Sequence, residues 1–213
     1  MRKNEWVDIS VPIRSGMVHW PGDPAVRIRR LQNMDRGDRN NLSLISFGSH
    51  TGTHMDAPRH FFAKGKSLDK MPFGAAIGPA RVLEIKDTRC IRAEELKRYR
   101  IKRRERIIFK TRNSSFWKAD GFKKEFVYMS QEAAEYLTDA GVGVVGIDYL
   151  SVGGYRKGGA EIHKTLLGAQ IWIIEGLNLF GVKPGNYDLI CLPLKIFNSD
   201  GAPCRAIIHP RFE

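Results

Sequence analysis

The residues best suited to chemistry lie in one short segment, residues 49–61, which reads SHTGTHMDAPRHF. It holds three of the six histidines of the chain, His50, His54 and His60, together with Asp56. If the segment is extended, His50, His54 and Asp56 project to one face, because side chains alternate along a strand. Imidazole and carboxylate groups that share a face are typical metal ligands. The alternative is that these histidines are satisfied inside a core or loop without a metal.

Full extension would keep two of these ligands apart. Four residues of strand separate the backbones of His50 and His54 by about 13 Å, whereas both ring nitrogens must lie about 2 Å from a shared cation. The chain must therefore bend, and Gly52 is the expected hinge because glycine adopts conformations closed to other residues. Pro58 removes a backbone donor and ends regular pairing, which predicts that His60 lies on a loop beside the site.

The ligand types also indicate the metal and its chemistry. Imidazole nitrogens with one carboxylate suit Zn²⁺ best, and Mn²⁺ or Fe²⁺ are alternatives. A cation with an open coordination position lowers the pKa of water enough to make hydroxide near neutral pH. The ligand set therefore favours hydrolysis.

Two more candidate ligands lie far along the chain. His163 begins an apolar run that predicts a short helix over residues 164–167, and it could be a ligand, a helix cap or a surface residue. Glu175 closes an apolar strand predicted over residues 171–175, where its carboxylate would be partly buried. A buried carboxylate needs a partner, and a metal ion supplies one.

The elements that must position these residues are mainly strands. Apolar or alternating runs predict them over residues 6–9, 42–47, 81–85, 106–110, 142–147, 171–175, 187–192 and 206–208. Helices are predicted over residues 92–98, 130–140 and 164–167, with Ser130 as a cap and Gly141 as the terminator of the second. This interleaving favours an α/β or α+β fold around a mixed sheet. No repeat or linker divides the chain, so we expect a single domain spanning residues 1–213.

The composition limits the classes of partner and location. Lys and Arg number 35 against 23 Asp and Glu, and much of the excess of +12 lies in residues 92–112. Few aromatic residues accompany this segment, which favours a solvated helix and loop, with attraction of anionic substrates or nucleic acid as alternatives. No apolar run approaches the roughly 18 residues of a membrane span, and residues 1–16 lack a signal-peptide core. We therefore expect a cytoplasmic protein that does not enter membranes.

The chain resembles the cyclase-type metal-dependent hydrolases, the family to which bacterial kynurenine formamidases belong. The resemblance spans nearly the whole chain, and its most specific motif is HTGTHMDAPRHF at residues 50–61. The other matching motifs are WPGDP (20–24), KTRNS (110–114), GIDYLSV (146–152), HKTLL (163–167), IIEGLNL (173–179), and LPLKI and SDGAP within 192–203.

The resemblance implies a metal centre of one or two ions. His50, His54 and Asp56 would hold the first ion. Asp56 and Glu175 would bridge to a second ion that His163 also binds. All five positions carry the residue that the family pattern requires.

The resemblance also implies the catalytic group, the fold and the reaction. His60 matches the acid/base of the family, and Trp20 matches an aromatic side chain that lines the substrate pocket. The implied fold is a compact α/β domain with a mixed, barrel-like sheet flanked by helices, usually in a homodimer whose neighbouring chains shape the pocket. The implied reaction is arylformamidase chemistry, the cleavage of N-formyl-kynurenine to kynurenine and formate. Another small cyclic amide, imide or lactam is the alternative substrate, and a basic nucleic-acid-binding protein with a structural metal is the alternative of a different class.

Overall fold

The computed structural model describes residues 5–119 and 121–211, so the two ends of the predicted domain, residues 1 and 213, lie outside the described part. Its strands are β1 (Val7–Asp8), β2 (Arg27–Gln32), β3 (Leu42–Ser46), β4 (His54–Asp56), β5 (Ile77–Glu84), β6 (Cys90–Ile91), β7 (Arg106–Lys110), β8 (Tyr128–Met129), β9 (Val144–Ile147), β10 (Trp172–Glu175), β11 (Gly185–Pro193) and β12 (Gly201–Pro210). Its α-helices are α1 (Phe73–Ala76), α2 (Ala93–Leu96), α3 (Gln131–Asp139) and α4 (Gly159–Gly168).

Seven of these strands close into a barrel. They follow the order β12, β11, β5, β7, β9, β10, β4, and β4 then pairs with β12 to complete the circle. Strands β5, β7, β9 and β10 run parallel to one another, whereas the pairings of β4, β11 and β12 are antiparallel. The short strand β1 pairs with the far part of β12. The expected α/β fold with a mixed, barrel-like sheet is confirmed.

The apolar runs of the central strands are buried on both faces of the sheet. Ile108 and Ile174 belong to one apolar cluster, whereas their neighbours Phe109 and Ile173 belong to another, which also contains Leu166 of α4. Because successive side chains point to opposite faces, a strand covered on both sides must be apolar throughout. This explains the unbroken runs that predicted β7 and β10.

The helices differ in how well the sequence predicted them. Helix α3 matches its prediction: the Ser130 hydroxyl accepts a hydrogen bond from the Ala133 backbone N–H, and Gly141 follows with φ +68°. The helix predicted over residues 164–167 is longer than expected and begins at Gly159 as α4. Gly158, just before it, takes a left-handed conformation that ends the preceding turn. In the described part of the chain, no helix combines the length and apolar character needed to cross a membrane.

The basic segment is largely solvated, as expected. Helix α2 is shorter than predicted and continues as a 3₁₀ turn over Lys97–Tyr99. Most side chains from residue 97 to residue 104 are exposed. Within the segment, Glu105 is less exposed and forms an ion pair with Arg81 of β5 at 2.7 Å.

Strands β2 and β3 form a two-stranded ribbon separate from the barrel. Strand β3 was predicted from the sequence but β2 was not; three residues of β2 are charged and all six are exposed. Ile28 pairs with Ile45 across the ribbon, and the next pair, Arg29 with Leu44, faces the opposite side. All three apolar side chains are more than 40% exposed.

Candidate metal centre

The short strand β4 carries two of the predicted ligands into the barrel wall. His54 pairs with Glu175 of β10, and Asp56 pairs with Gly201 of β12. His54, Asp56 and Glu175 are almost fully buried, with at most 3% of their surface exposed. Glu175 was expected to be only partly buried. Its carboxylate accepts a hydrogen bond from the Val152 backbone N–H at 2.7 Å.

The expected bend lies at Gly52. Only residues 54–56 are extended, and Gly52 takes a positive φ of +64°, so His50 lies in a turn before the strand. The bend predicted from the spacing of His50 and His54 is therefore present, and side chains alternate only after the hinge. The His54 Nδ1 atom donates to the Gly52 carbonyl oxygen at 3.0 Å, which leaves Nε2 facing the carboxylates.

The fold brings the five predicted ligands together. The nitrogen-to-oxygen distances are 2.8 Å from His50 Nδ1 to Asp56 Oδ1, 3.3 Å from His54 Nε2 to both Asp56 Oδ1 and Glu175 Oε2, and 3.1 Å from His163 Nε2 to Glu175 Oε1. His163 Nε2 is 3.7 Å from Asp56 Oδ2. The carboxylate of Asp56 thus lies between the imidazoles of His50 and His163.

The cluster fits a metal ion. His54 Nε2 and Asp56 Oδ2 are buried and have no hydrogen-bond partner. Such unsatisfied polar atoms are costly in a protein interior, and a cation bound between them would satisfy both. Ligand atoms of His54, Asp56 and Glu175 all lie within 4.8 Å of one another, as do those of His50, Asp56 and His60.

The groups also shift one another's pKa. Burial lowers the pKa of His50, but the carboxylates of Asp56 and Asp200 outweigh this effect and raise it to about 9. Burial likewise opposes the charged form of His54, yet Asp56 and Glu175 hold its pKa well above the usual value. Burial raises the pKa of Asp56, whereas the neighbouring histidines lower it. The net result is a pKa well below the usual value. Without a cation, protons on the imidazoles balance the carboxylates.

His163 is a buried residue of α4, so the alternatives of a cap or a surface residue are wrong. Its Nδ1 atom donates to the Gly159 carbonyl oxygen at 2.6 Å, one helical turn earlier. This bond turns Nε2 toward Glu175. Hydrogen bonding of the outer ring nitrogen to a carbonyl is the usual way in which proteins orient a histidine ligand.

His60 lies beside the cluster and is only half-buried. It ends a 3₁₀ turn, Pro58–His60, and not the irregular loop that was expected. Its ring packs against that of His50, with centroids 3.9 Å apart and the ring planes tilted by 34°. His60 is therefore close to the predicted ligands and also open to the neighbouring cavity.

Asp200 completes this side of the site, although no role was predicted for it from the sequence. Its Oδ2 atom accepts hydrogen bonds from His50 Nε2 at 2.8 Å and from the Ser49 hydroxyl at 3.1 Å, and it lies 3.7 Å from His60 Nδ1. The hydrogen bond from His50 and the nearby imidazole of His60 hold the pKa of Asp200 far below its usual value. The SDGAP motif, which contains Asp200 next to Gly201, was the sequence feature that could have identified this residue.

A cavity of about 480 Å³ opens onto the cluster. Its inner wall contains four of the grouped side chains, namely His50, His60, His163 and Glu175. Trp20 and Phe61 add an aromatic wall. Trp20 is held by edge-to-face contacts with an aromatic cluster that consists of Phe122, Phe126 and Tyr155. The predicted substrate-lining residue therefore shares a cavity with the predicted catalytic residue.

Comparison with known proteins gives consistent matches. The Cyclase family model, described as "Putative cyclase", matches residues 7–153. A kynurenine formamidase of Bacillus thuringiensis is 32% identical over 210 residues, which cover 99% of this chain and 100% of that protein. A solved structure of a potential metal-dependent hydrolase with cyclase activity has a TM-score of 0.86 at 31% identity, covering 99% of this chain and all of that one. Isatin hydrolase A from Ralstonia solanacearum shares the fold, with a TM-score of 0.83 at 21% identity over 96% of this chain and 91% of that one.

Proposed function

The chain belongs to the cyclase family, and we propose that it is a metal-dependent amidohydrolase that cleaves N-formyl-kynurenine to kynurenine and formate. One observation carries the proposal: buried His54 Nε2 and Asp56 Oδ2 lack partners beside a cavity that His60 also lines. The formamidase relatives, which align over the whole chain, support the choice of substrate.

We assign the metal ligands as the sequence predicted them. His50, His54 and Asp56 would hold one ion, and Asp56, Glu175 and His163 would hold a second where two are bound. The nitrogen and oxygen donors suit Zn²⁺ best, with Mn²⁺ as the alternative. When bound, the cation supplies activation of water and polarisation of the substrate carbonyl.

The proton is carried by His60. Amide cleavage expels a nitrogen that is a poor leaving group until it is protonated, so a group must take the proton of the attacking water and return it to that nitrogen. The His60 ring suits this task because it lines the cavity and packs against His50. Asp200, 3.7 Å from His60 Nδ1, orients the ring.

The substrate is held by the aromatic wall. Trp20 and Phe61 offer apolar surface to an aryl ring and displace water from the cluster. The same wall also suits a compact bicyclic amide or imide, and the shared fold of isatin hydrolase favours that second candidate. The side chains that line the cavity decide between the two.

The decisive experiment is an activity screen with metal-reconstituted protein on N-formyl-kynurenine beside a panel of cyclic amides and imides. We expect metal-dependent release of formate from N-formyl-kynurenine, with slower turnover of the panel. Preferential turnover of a cyclic compound would establish the second candidate. Salt-sensitive binding to mixed-sequence DNA without any hydrolysis would favour the nucleic-acid alternative.

We also propose that the protein is a single-domain homodimer of the cytoplasm. The exposed apolar side chains of the β2–β3 ribbon suit pairing with a second copy of the chain, since an isolated two-stranded ribbon is only marginally stable in water. A single domain over residues 1–213 is supported by the pairing of β1 with β12, from opposite ends of the chain. The free thiols of Cys90, Cys191 and Cys204 suit the reducing cytoplasm. Light scattering would report the expected homodimer.

A further inference from the structure

A glycine-rich turn between β9 and α4 carries a single arginine at the cavity. The turn runs through residues 153–159, and the Lys157 backbone N–H donates to the Gly154 carbonyl oxygen at 3.2 Å. Gly153 packs so closely on Gly159 that a Cβ atom at position 153 would lie 2.5 Å from the Gly159 Cα atom. The turn is therefore closed by its own backbone, and the exposed Arg156 that it carries lines the cavity.

Arg156 has an unfavourable backbone conformation. Its φ is +55°, in the left-handed region that glycine occupies readily and a long side chain does not. Glycine stands at four of the other positions of this turn. Arg100 and Arg104 of the exposed basic segment also have a positive φ, and Arg156 differs from them in lining the cavity.

The Arg156 guanidinium is free to bind a ligand. Within residues 5–119 and 121–211, it makes no hydrogen bond or ion pair, and its contact is with the Tyr155 ring at 5.3 Å. Tyr155 in turn packs against Trp20, with ring centroids 5.6 Å apart. The cation therefore lies next to the aromatic wall of the cavity that His60 and Glu175 also line.

We propose that Arg156 is a specificity-determining residue that binds the carboxylate of an amino-acid substrate while the amide lies at the cluster. This inference rests on the proposed function, since N-formyl-kynurenine carries an α-carboxylate and an α-ammonium group remote from its formamide. A guanidinium pairs with a carboxylate through two parallel hydrogen bonds. Asp23 and Glu161 line the same cavity and supply negative charge for the ammonium group.

The test compares two aryl formamides that differ in the amino-acid group. N-formyl-kynurenine carries it and formanilide lacks it. In metal-reconstituted protein, Arg156→Gly, which suits the positive φ, should lower kcat/KM for N-formyl-kynurenine roughly 10-fold through a higher KM, with formanilide unaffected. Arg156→Lys should retain part of the preference for N-formyl-kynurenine over formanilide. Lysine keeps the positive charge but cannot form the two parallel hydrogen bonds of a guanidinium. The control Lys157→Ala, at a position outside the cavity lining, should leave both substrates unchanged.

Equal losses on both substrates, or no loss on either, would overturn the role of Arg156. If the wild-type protein hydrolyses neither compound, the proposed function itself fails, and a separate measurement then decides the residue. Calorimetric titration with kynurenine should give roughly 10-fold weaker binding to Arg156→Gly than to wild type. Equal binding to the two proteins would overturn the inference whatever the activity.

Discussion

His54 and Glu175 face each other across the pairing of β4 with β10, and His54 Nε2 lies 3.3 Å from Glu175 Oε2. The two residues are far apart in the sequence and meet because β4 closes the barrel between β10 and β12. The backbone pairings of β4 with β10 and β12 make this closure, and they place both side chains at it. The candidate metal centre and the seam of the barrel are therefore one structure, and changes to either should affect both.

Asp56→Asn should abolish or deplete metal binding. Both carboxylate oxygens face the histidine cluster, Oδ1 at 2.8 Å from His50 Nδ1 and Oδ2 at 3.7 Å from His163 Nε2. The amide keeps the shape of the side chain but loses its negative charge. Elemental analysis of the purified variant would measure the loss, with the half-buried Asp188→Asn of β11, away from the cluster, as a matched control. Full metal content in Asp56→Asn would remove this residue from the ligand set.

His60→Ala should keep its metal and lose most of its turnover. The ring lines the cavity and packs against His50, so its loss removes the proton carrier while the buried ligands remain. We expect kcat to fall by about 10² to 10⁴. Formate release and metal content should be measured on the same preparation. A variant that works at the wild-type rate would disprove the assignment.

Chelated protein should lose stability as the pH rises from 6.5 to 9. The pKa of His50 is raised from 6.5 to about 9 in the folded, metal-free state, against the opposing effect of burial. Since the folded state holds this proton more tightly than the unfolded chain, the stabilisation is complete below pH 6.5 and disappears as the pH passes 9. The stabilisation that this proton contributes is at most about 3 kcal/mol.

Thermal melts in chelator across that pH range would test this dependence. His50→Gln should show a weaker dependence, because the pKa values of His54 and His163 are also raised. Metal-loaded wild type should also show less of it, because the cation replaces the protons. A melting temperature in chelator that stays constant or rises over the range would contradict the expectation.

Asp148→Asn should destabilise the fold by about 2 to 4 kcal/mol. The buried carboxylate accepts four hydrogen bonds, from the backbone N–H and hydroxyl groups of Thr111 and Ser114. An amide would turn its NH₂ group toward donors and leave some of them unsatisfied. Denaturant unfolding would measure the loss against Asp139→Asn, an exposed position in α3. Equal stabilities would show that the carboxylate charge is unimportant there.

The sequence was informative where local spacing decides the structure. The hinge at Gly52 followed from the distance between His50 and His54, and the unbroken apolar runs of β7 and β10 followed from burial on both faces. Contacts between residues far apart in the sequence could not be predicted from local spacing. The meeting of His163 with Glu175 depends on how α4 packs against β10, and only the family resemblance supplied it.

Other features of the fold and the site could not be recognised from residue types and spacing. Asp200 resembles any exposed acidic residue until β12 is paired with β4 and brings it to His50. Strand β2 is exposed on both faces, so it lacks the alternation by which a half-buried strand is recognised. Arg156 was hidden for a similar reason, since a glycine-rich turn predicts its backbone but not what its side chain faces.

The pairing of β4 with β12 sets an order for biosynthesis. All five predicted ligands, from His50 to Glu175, emerge from the ribosome before Gly201–Pro210, the strand that completes the wall around them. A nascent chain that ends after Glu175 would carry every one of these groups and still lack Asp200 and the strand against which Asp56 is aligned. A cation held by these ligands would therefore reach its final geometry only after Gly201–Pro210 has been synthesised and has paired with β4.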